Sequence, residues 1–100
     1  MLSDRGVAME FWLIAYDIPN DKRRNKIADA LEDYGRRVQY SVFEVWLDTA
    51  DKRKLLRRLN ELIVENEDSI RLYRLCADCQ QRLQILGLGD TPQAPGVMIF

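Results

Sequence analysis

Residues 11–27 read FWLIAYDIPNDKRRNKI. An apolar or aromatic run from Phe11 to Tyr16 ends on a single acid, Asp17, turns at Pro19 and enters a segment dense in lysine and arginine. A stretch that is apolar at every position, and not at every second one, predicts a first strand over residues 10–17 that is buried on both faces and central in its sheet. Asn20 or Asp21 can cap the helix that follows, and Ile27, Ala30, Leu31 and Tyr34 recur at the spacing of one apolar stripe. Gly35 suits the end of that helix. Lys22, Arg23, Asn25, Lys26, Asp29 and Glu32 fall on the opposite face, which therefore meets water.

The next segment, RRVQYSVFEVWLD (residues 36–48), has strand chemistry whose alternation changes parity. Val38 and Tyr40 occupy even positions, whereas Phe43, Val45 and Leu47 occupy odd ones, and a one-residue slip exchanges the two faces of a strand. A bulge or tight reversal near Ser41 would divide the segment in two, although no glycine or proline marks it. From Asp51 the pattern is helical again, with Leu55, Leu56, Leu59, Leu62 and Ile63 inward and an end near Asn66. SIRLYRLC (69–76) alternates as a strand, RLQILGLG (82–89) reads as a further short strand, and a proline-bearing connector leads to GVMIF at the end.

Strand, helix, one or two strands, helix, strand is the order of an α+β fold, the ferredoxin-like βαββαβ sandwich, here with an extra C-terminal strand. One domain spans residues 1–100, with 1–9 as an N-terminal extension and 88–100 as connector and terminal strand. Two helices shield only one face of such a sheet. The other, apolar face therefore predicts a symmetric homodimer in which two sheets pack together, with GVMIF free to extend a neighbour's sheet edge.

With 100 residues, 47% of them hydrophobic, the chain can bury a small but sufficient core. Its 15 basic and 16 acidic residues leave a net charge of -1, which excludes bulk attraction to a polyanion and makes any nucleic-acid binding a matter of local patches. No apolar stretch approaches the length that spans a bilayer, and nothing reads as a signal peptide, so a cytoplasmic protein with no membrane role is expected. Cys76 and Cys79 form an isolated CADC in a chain without histidine, so one protomer cannot complete a tetrahedral zinc site from Cys and His. Reduced thiols, a redox pair, or a four-cysteine site shared across a dimer are the alternatives.

The segments YDIPNDKRRNKIADALEDYGRRVQYSVFEVWLD (16–48) and SIRLYRLC closely resemble the CRISPR-associated Cas2 family of spacer acquisition. The most specific elements are a strand ending in YDI, a basic helix, and RVQYSVFE, within a likeness covering residues 11–87. The resemblance implies a ferredoxin-like fold, a homodimer and a metal-dependent endonuclease acting on single-stranded RNA or double-stranded DNA. It implies Asp17 as catalytic and metal-binding residue, with Tyr16 beside it, and ties Arg24, Lys26, Arg37 and Phe43 to activity. Lys26 stands where some relatives have arginine, which keeps the charge but loses the planar fork.

Hard Mg²⁺, or Mn²⁺, takes oxygen ligands and commonly only one or two carboxylates, so paired Asp17 residues of a dimer would suffice without a histidine base. Without the resemblance, Asp17 reads equally as the end of a strand that helps to cap a helix. Arg23, Arg24, Lys26 and Arg37 fit nucleic-acid phosphates, and also fit ordinary solvated faces. Phe43 either stacks on a base or fills the sheet interface, and its inward parity favours filling. The competing function is a non-catalytic dimeric scaffold that holds DNA between copies of the family's integrase, Cas1. A messenger-RNA nuclease outside any such assembly is a third reading.

Overall fold

The computed structural model describes residues 8–89 and 92. Their elements run β1 (Glu10–Asp17), α1 (Asp21–Glu32), β2 (Gly35–Gln39), β3 (Val42–Leu47), α2 (Thr49–Leu62), β4 (Ser69–Leu75) and a short α3 (Ala77–Gln81). Among the described residues one four-stranded sheet has the order β2-β3-β1-β4, every pairing antiparallel. This is the expected α+β arrangement. Strand β1 pairs with β3 on one side and β4 on the other, so neither of its edges meets water and both its faces carry apolar residues.

Alternation along β1 sends Trp12, Ile14 and Tyr16 to the helix side, where they meet Ile27, Ala30 and Leu31 of α1 and Leu55 and Leu59 of α2. Phe43, Val45 and Leu47 complete that core from β3. Ile14, Ile27, Leu31, Phe43, Val45, Leu47 and Leu55 have almost no exposed surface, and burying each side chain stabilises the fold by roughly 1.5–3 kcal/mol. Both helices start at side-chain caps: Asn20 accepts from the Arg23 N–H at 2.9 Å, and Asp48 accepts from the Asp51 N–H at 2.7 Å.

The parity change in residues 36–48 has two physical sources. Pairing steps from Arg37 with Phe43 to Gln39 with Val42, so Val38 is the extra residue of a bulge, and Tyr40 and Ser41 then reverse the chain. No described residue other than glycine has a positive φ, which is why this reversal needs no glycine.

Three sequence expectations are corrected. Gly35 does not stop α1; it opens β2, where a Cβ would collide with the Glu44 carbonyl oxygen and lie 2.6 Å from the Val45 Cα, so the close approach of two strands requires glycine. Helix α2 starts two residues before Asp51 and ends at Leu62, with Ile63 extended as its C-cap, four residues short of Asn66. Residues 82–89 form no strand; α3 follows β4 directly and residues 82–89 run without regular structure, with Gly87 and Gly89 in positive-φ conformations. The terminal GVMIF strand and residues 1–7 of the expected extension lie outside the described residues.

The second face of the sheet carries Phe11, Leu13 and Ala15 of β1 opposite Trp46, Glu44 and Val42 of β3 and Leu75, Tyr73 and Arg71 of β4. Phe11 is buried beneath Trp46, their ring centroids 4.9 Å apart. Neither α1 nor α2 covers this face. Residues 83–89 skirt it instead, lining with Leu13, Val42 and Glu44 an open cleft of about 590 Å³. Leu86 and Leu88 there are 94% and 101% exposed.

Candidate functional site

Asp17 is the last residue of β1, exposed, and paired in register with Ser69 at the start of β4. Asn20 caps α1, so the capping alternative for Asp17 is taken by another residue. Among the described residues its carboxylate has no hydrogen bond or ion pair. By alternation it shares a sheet face with Leu13 and Ala15, the face that the helices leave open.

Tyr16 points the other way. It is buried in the core with its ring centroid 6.2 Å from that of Phe43, and among the described residues its hydroxyl has no hydrogen-bond partner. The two-residue period of a strand therefore separates Tyr16 from Asp17 across the thickness of the sheet. The pair named together by the sequence does not converge on one reacting centre within this chain.

Arg23 and Arg24 flank the apolar stripe of α1 on opposite sides. The Arg23 Nε donates to Asp68 Oδ2 at 2.7 Å, and its Nη2 donates to Asp68 Oδ1 and Glu67 Oε1, each at 2.9 Å. The Asp68 side chain has no exposed surface and also accepts the Val64 N–H at 2.8 Å. Hydrogen bonding from Arg23 holds the Asp68 carboxyl below its ordinary pKa. Arg23 thus joins α1 to the turn before β4, its guanidinium engaged by two carboxylates. Asp68 escaped the sequence reading because an acid among several in ENED (65–68) looks like a polar loop.

Arg24 donates from Nη1 to the Ile18 carbonyl at 2.9 Å, pairs through Nη2 with Asp21, and lies 5.9 Å from the centre of the Tyr40 ring. The hydrogen bond to Asp21 raises its pKa further. These contacts tie the residue after Asp17 to the helix and to the β2–β3 turn. The Tyr16 N–H donates to the Ser41 carbonyl at 3.0 Å and joins the same turn to the end of β1. Arg24 therefore braces the segment that follows β1.

Lys26 is exposed on α1, on the side that also carries Lys22. Arg37 is exposed on β2 with its guanidinium 5.5 Å from the centre of the Phe43 ring. Phe43 is 0% exposed, so the packing alternative holds for it and no face is open to a base. Arg36, the other half of the basic pair, faces away from Arg37 and sits opposite Glu44. Burial raises the Glu44 pKa and the charge of Arg36 opposes that rise. Arg71, also unnoticed in the sequence, lies on the open face two register pairs from Asp17, with Nη1 3.4 Å from the Tyr73 hydroxyl. Its signal was the alternation of SIRLYRL, in which Ile70 and Leu72 turn inward and Arg71 and Tyr73 outward.

A metal ion would find one unengaged carboxylate here, and no group of three or more His, Cys, Asp or Glu exists among the described residues to hold it. The oxygen chemistry of Asp17 fits a hard cation, but one chain alone offers an incomplete ligand set. No helix among the described residues is long and apolar enough to cross a membrane.

Comparison with known proteins places these features in context. The family model described as CRISPR associated protein Cas2 matches residues 9–83. A CRISPR-associated endoribonuclease Cas2 of Chloroflexus aurantiacus is 50% identical over 84 residues, covering 83% of this chain and 90% of that protein. The Streptococcus pyogenes Cas2 crystal structure at pH 6.5 superposes with a TM-score of 0.70 at 38% identity, over 77% of this chain and 99% of that one. A chain of a partial Cas6-RT-Cas1–Cas2 complex gives 0.68 at 38% identity, over 77% of this chain and 90% of that one.

Proposed function

Because this chain belongs to the CRISPR associated protein Cas2 family, we propose that it serves spacer acquisition as a symmetric homodimer with a metal-dependent phosphodiesterase centre at paired Asp17 residues. One observation carries this reading: Asp17 is exposed, relieved of capping by Asn20, and on the same sheet face as the apolar residues that α1 and α2 leave uncovered. Two copies stacked through that face would bring their Asp17 carboxylates toward a common surface. Carboxylates brought close repel, and a bound cation relieves that repulsion.

Asp17 from each chain would hold Mg²⁺, or Mn²⁺ in its place, within an oxygen-only site. The cation would supply Lewis-acid stabilisation of a phosphodiester. Arg24 braces the segment that follows β1 through the Ile18 carbonyl. Lys26 and Arg37, duplicated by a twofold axis, neutralise backbone phosphates and position the polymer without reading its sequence. Phe43 contributes indirectly, as the ring beneath Arg37. The substrate is single-stranded RNA or double-stranded DNA, the partner a Cas1 integrase, and the compartment the cytoplasm; the complex containing Cas1 and Cas2 supports the partner, and the relative's name as an endoribonuclease supports RNA.

A second reading is a non-catalytic scaffold that bridges Cas1 subunits on DNA. The exposed Lys26 and Arg37 favour it, since they grip phosphate whether or not a bond is cut. Labelled RNA and duplex DNA incubated with wild type and Asp17→Asn, in magnesium, manganese or chelator, separate the two. Metal-dependent products from wild type alone, with dimer mass and duplex affinity equal in both, are expected. Equal cleavage by the variant refutes the role of Asp17, and duplex binding without cleavage by wild type establishes the scaffold.

A further inference from the structure

Nothing in the proposed reaction uses the CADC segment. Cys76 follows Leu75, whose register partner Phe11 is the last of the β1–β4 ladder, and it is the N-cap of α3. Its Sγ accepts the Cys79 N–H at 3.5 Å and lies 3.4 Å from the Cys79 Sγ. Both thiols are exposed. Residues three apart around one helical turn are neighbours, so modest side-chain rotation closes the remaining gap to the ~2.05 Å of a disulfide.

We propose that Cys76 and Cys79 are a redox modification site that closes to an intramolecular disulfide by exchange with a small-molecule disulfide. The Cys76 thiolate attacks one sulfur of the reagent, whose S–S bond breaks and releases one thiolate. Cys79 then gives its proton to solvent and attacks the Cys76 sulfur, expelling the second thiolate. The two protein thiols lose two protons and two electrons, and the reagent is reduced to two thiols.

The surroundings assign the order of attack. The Cys79 backbone N–H, and then its thiol, hydrogen-bond to Cys76 and lower the Cys76 pKa. The same thiol contact, and then the charge on Cys76, raise that of Cys79. The first cysteine is therefore the attacking thiolate and the second the resolving thiol. Asp78, between them, is drawn off by Arg82, whose Nε lies 3.1 Å from its Oδ2. An exposed bridge of this kind is readily reduced again.

The test uses the reduced full-length protein with chelator, treated with excess oxidised glutathione and followed by intact mass. Wild type is expected to become lighter by two hydrogen atoms without a lasting adduct. Cys79→Ser should retain one glutathione on Cys76, and Cys76→Ser should react more slowly at neutral pH. Dithiothreitol should reverse every product. Stable adducts on both wild-type cysteines, crosslinking between chains, unchanged wild-type mass, or equal rates in the two variants would each overturn the proposal.

Discussion

A strand's alternation gives neighbouring residues opposite fates, and Tyr16 and Asp17 are the case in point. The first ends in a dry core with an unpartnered hydroxyl, the second on an open face with a free carboxylate. A buried hydroxyl without a partner is a destabilising feature, so Tyr16→Phe removes a liability and leaves the ring packing intact. Its expected effect on unfolding free energy is between zero and about +1 kcal/mol of added stability. Cleavage by this variant should match wild type, because the hydroxyl does not share a face with Asp17. Urea unfolding combined with the nuclease assay checks both halves, and loss of cleavage in a folded variant would restore Tyr16 to the reacting centre. Tyr16 shows the limit of motif reading: adjacency in YDI looks like cooperation, yet a period of two places the side chains on opposite sides of the sheet.

Among elements, the join between α1 and the turn before β4 rests on Arg23 and Asp68. Asp68 has a folded pKa below its ordinary value. Such a carboxylate adds stability that is complete above the unfolded pKa and is lost as pH falls through the folded one. Asp68→Asn should therefore lower Tm at neutral pH and flatten the fall of Tm below about pH 4. Thermal melts of both proteins from neutral to acid pH measure this, and parallel curves would deny the clamp its role. Much of the element pattern was legible: the buried β1, the stripe of α1 and the divided segment at residues 36–48. Gly35 was misread because a helix stop and a strand contact both select glycine, and only the nearby Glu44 carbonyl distinguishes them. Residues 82–89 alternate like a strand, yet they have no ladder partner, and a strand without one leaves its backbone groups unpaired.

At the scale of the whole molecule, the uncovered face unites the proposed dimer and the proposed centre. Leu13 sits in the middle of it, opposite Glu44 and Tyr73. Leu13→Gln removes apolar burial from both sides of a twofold contact, at roughly 1.5 kcal/mol each, so the dimer dissociation constant should rise about a hundred-fold. Dilution-series sedimentation checks this, and an unchanged constant would move the interface elsewhere. Composition and periodicity were enough for the fold class, the central strand and the face left without a helix, because apolar spacing is a property of the chain's own order. The different contacts of Arg23 and Arg24 came from the folded arrangement alone. These two side chains acquire their contacts from partners that the chain brings near from elsewhere: Asp68 forty-five residues beyond Arg23, and the Tyr40 turn beside Arg24. No local pattern encodes which charges will find one another across that distance.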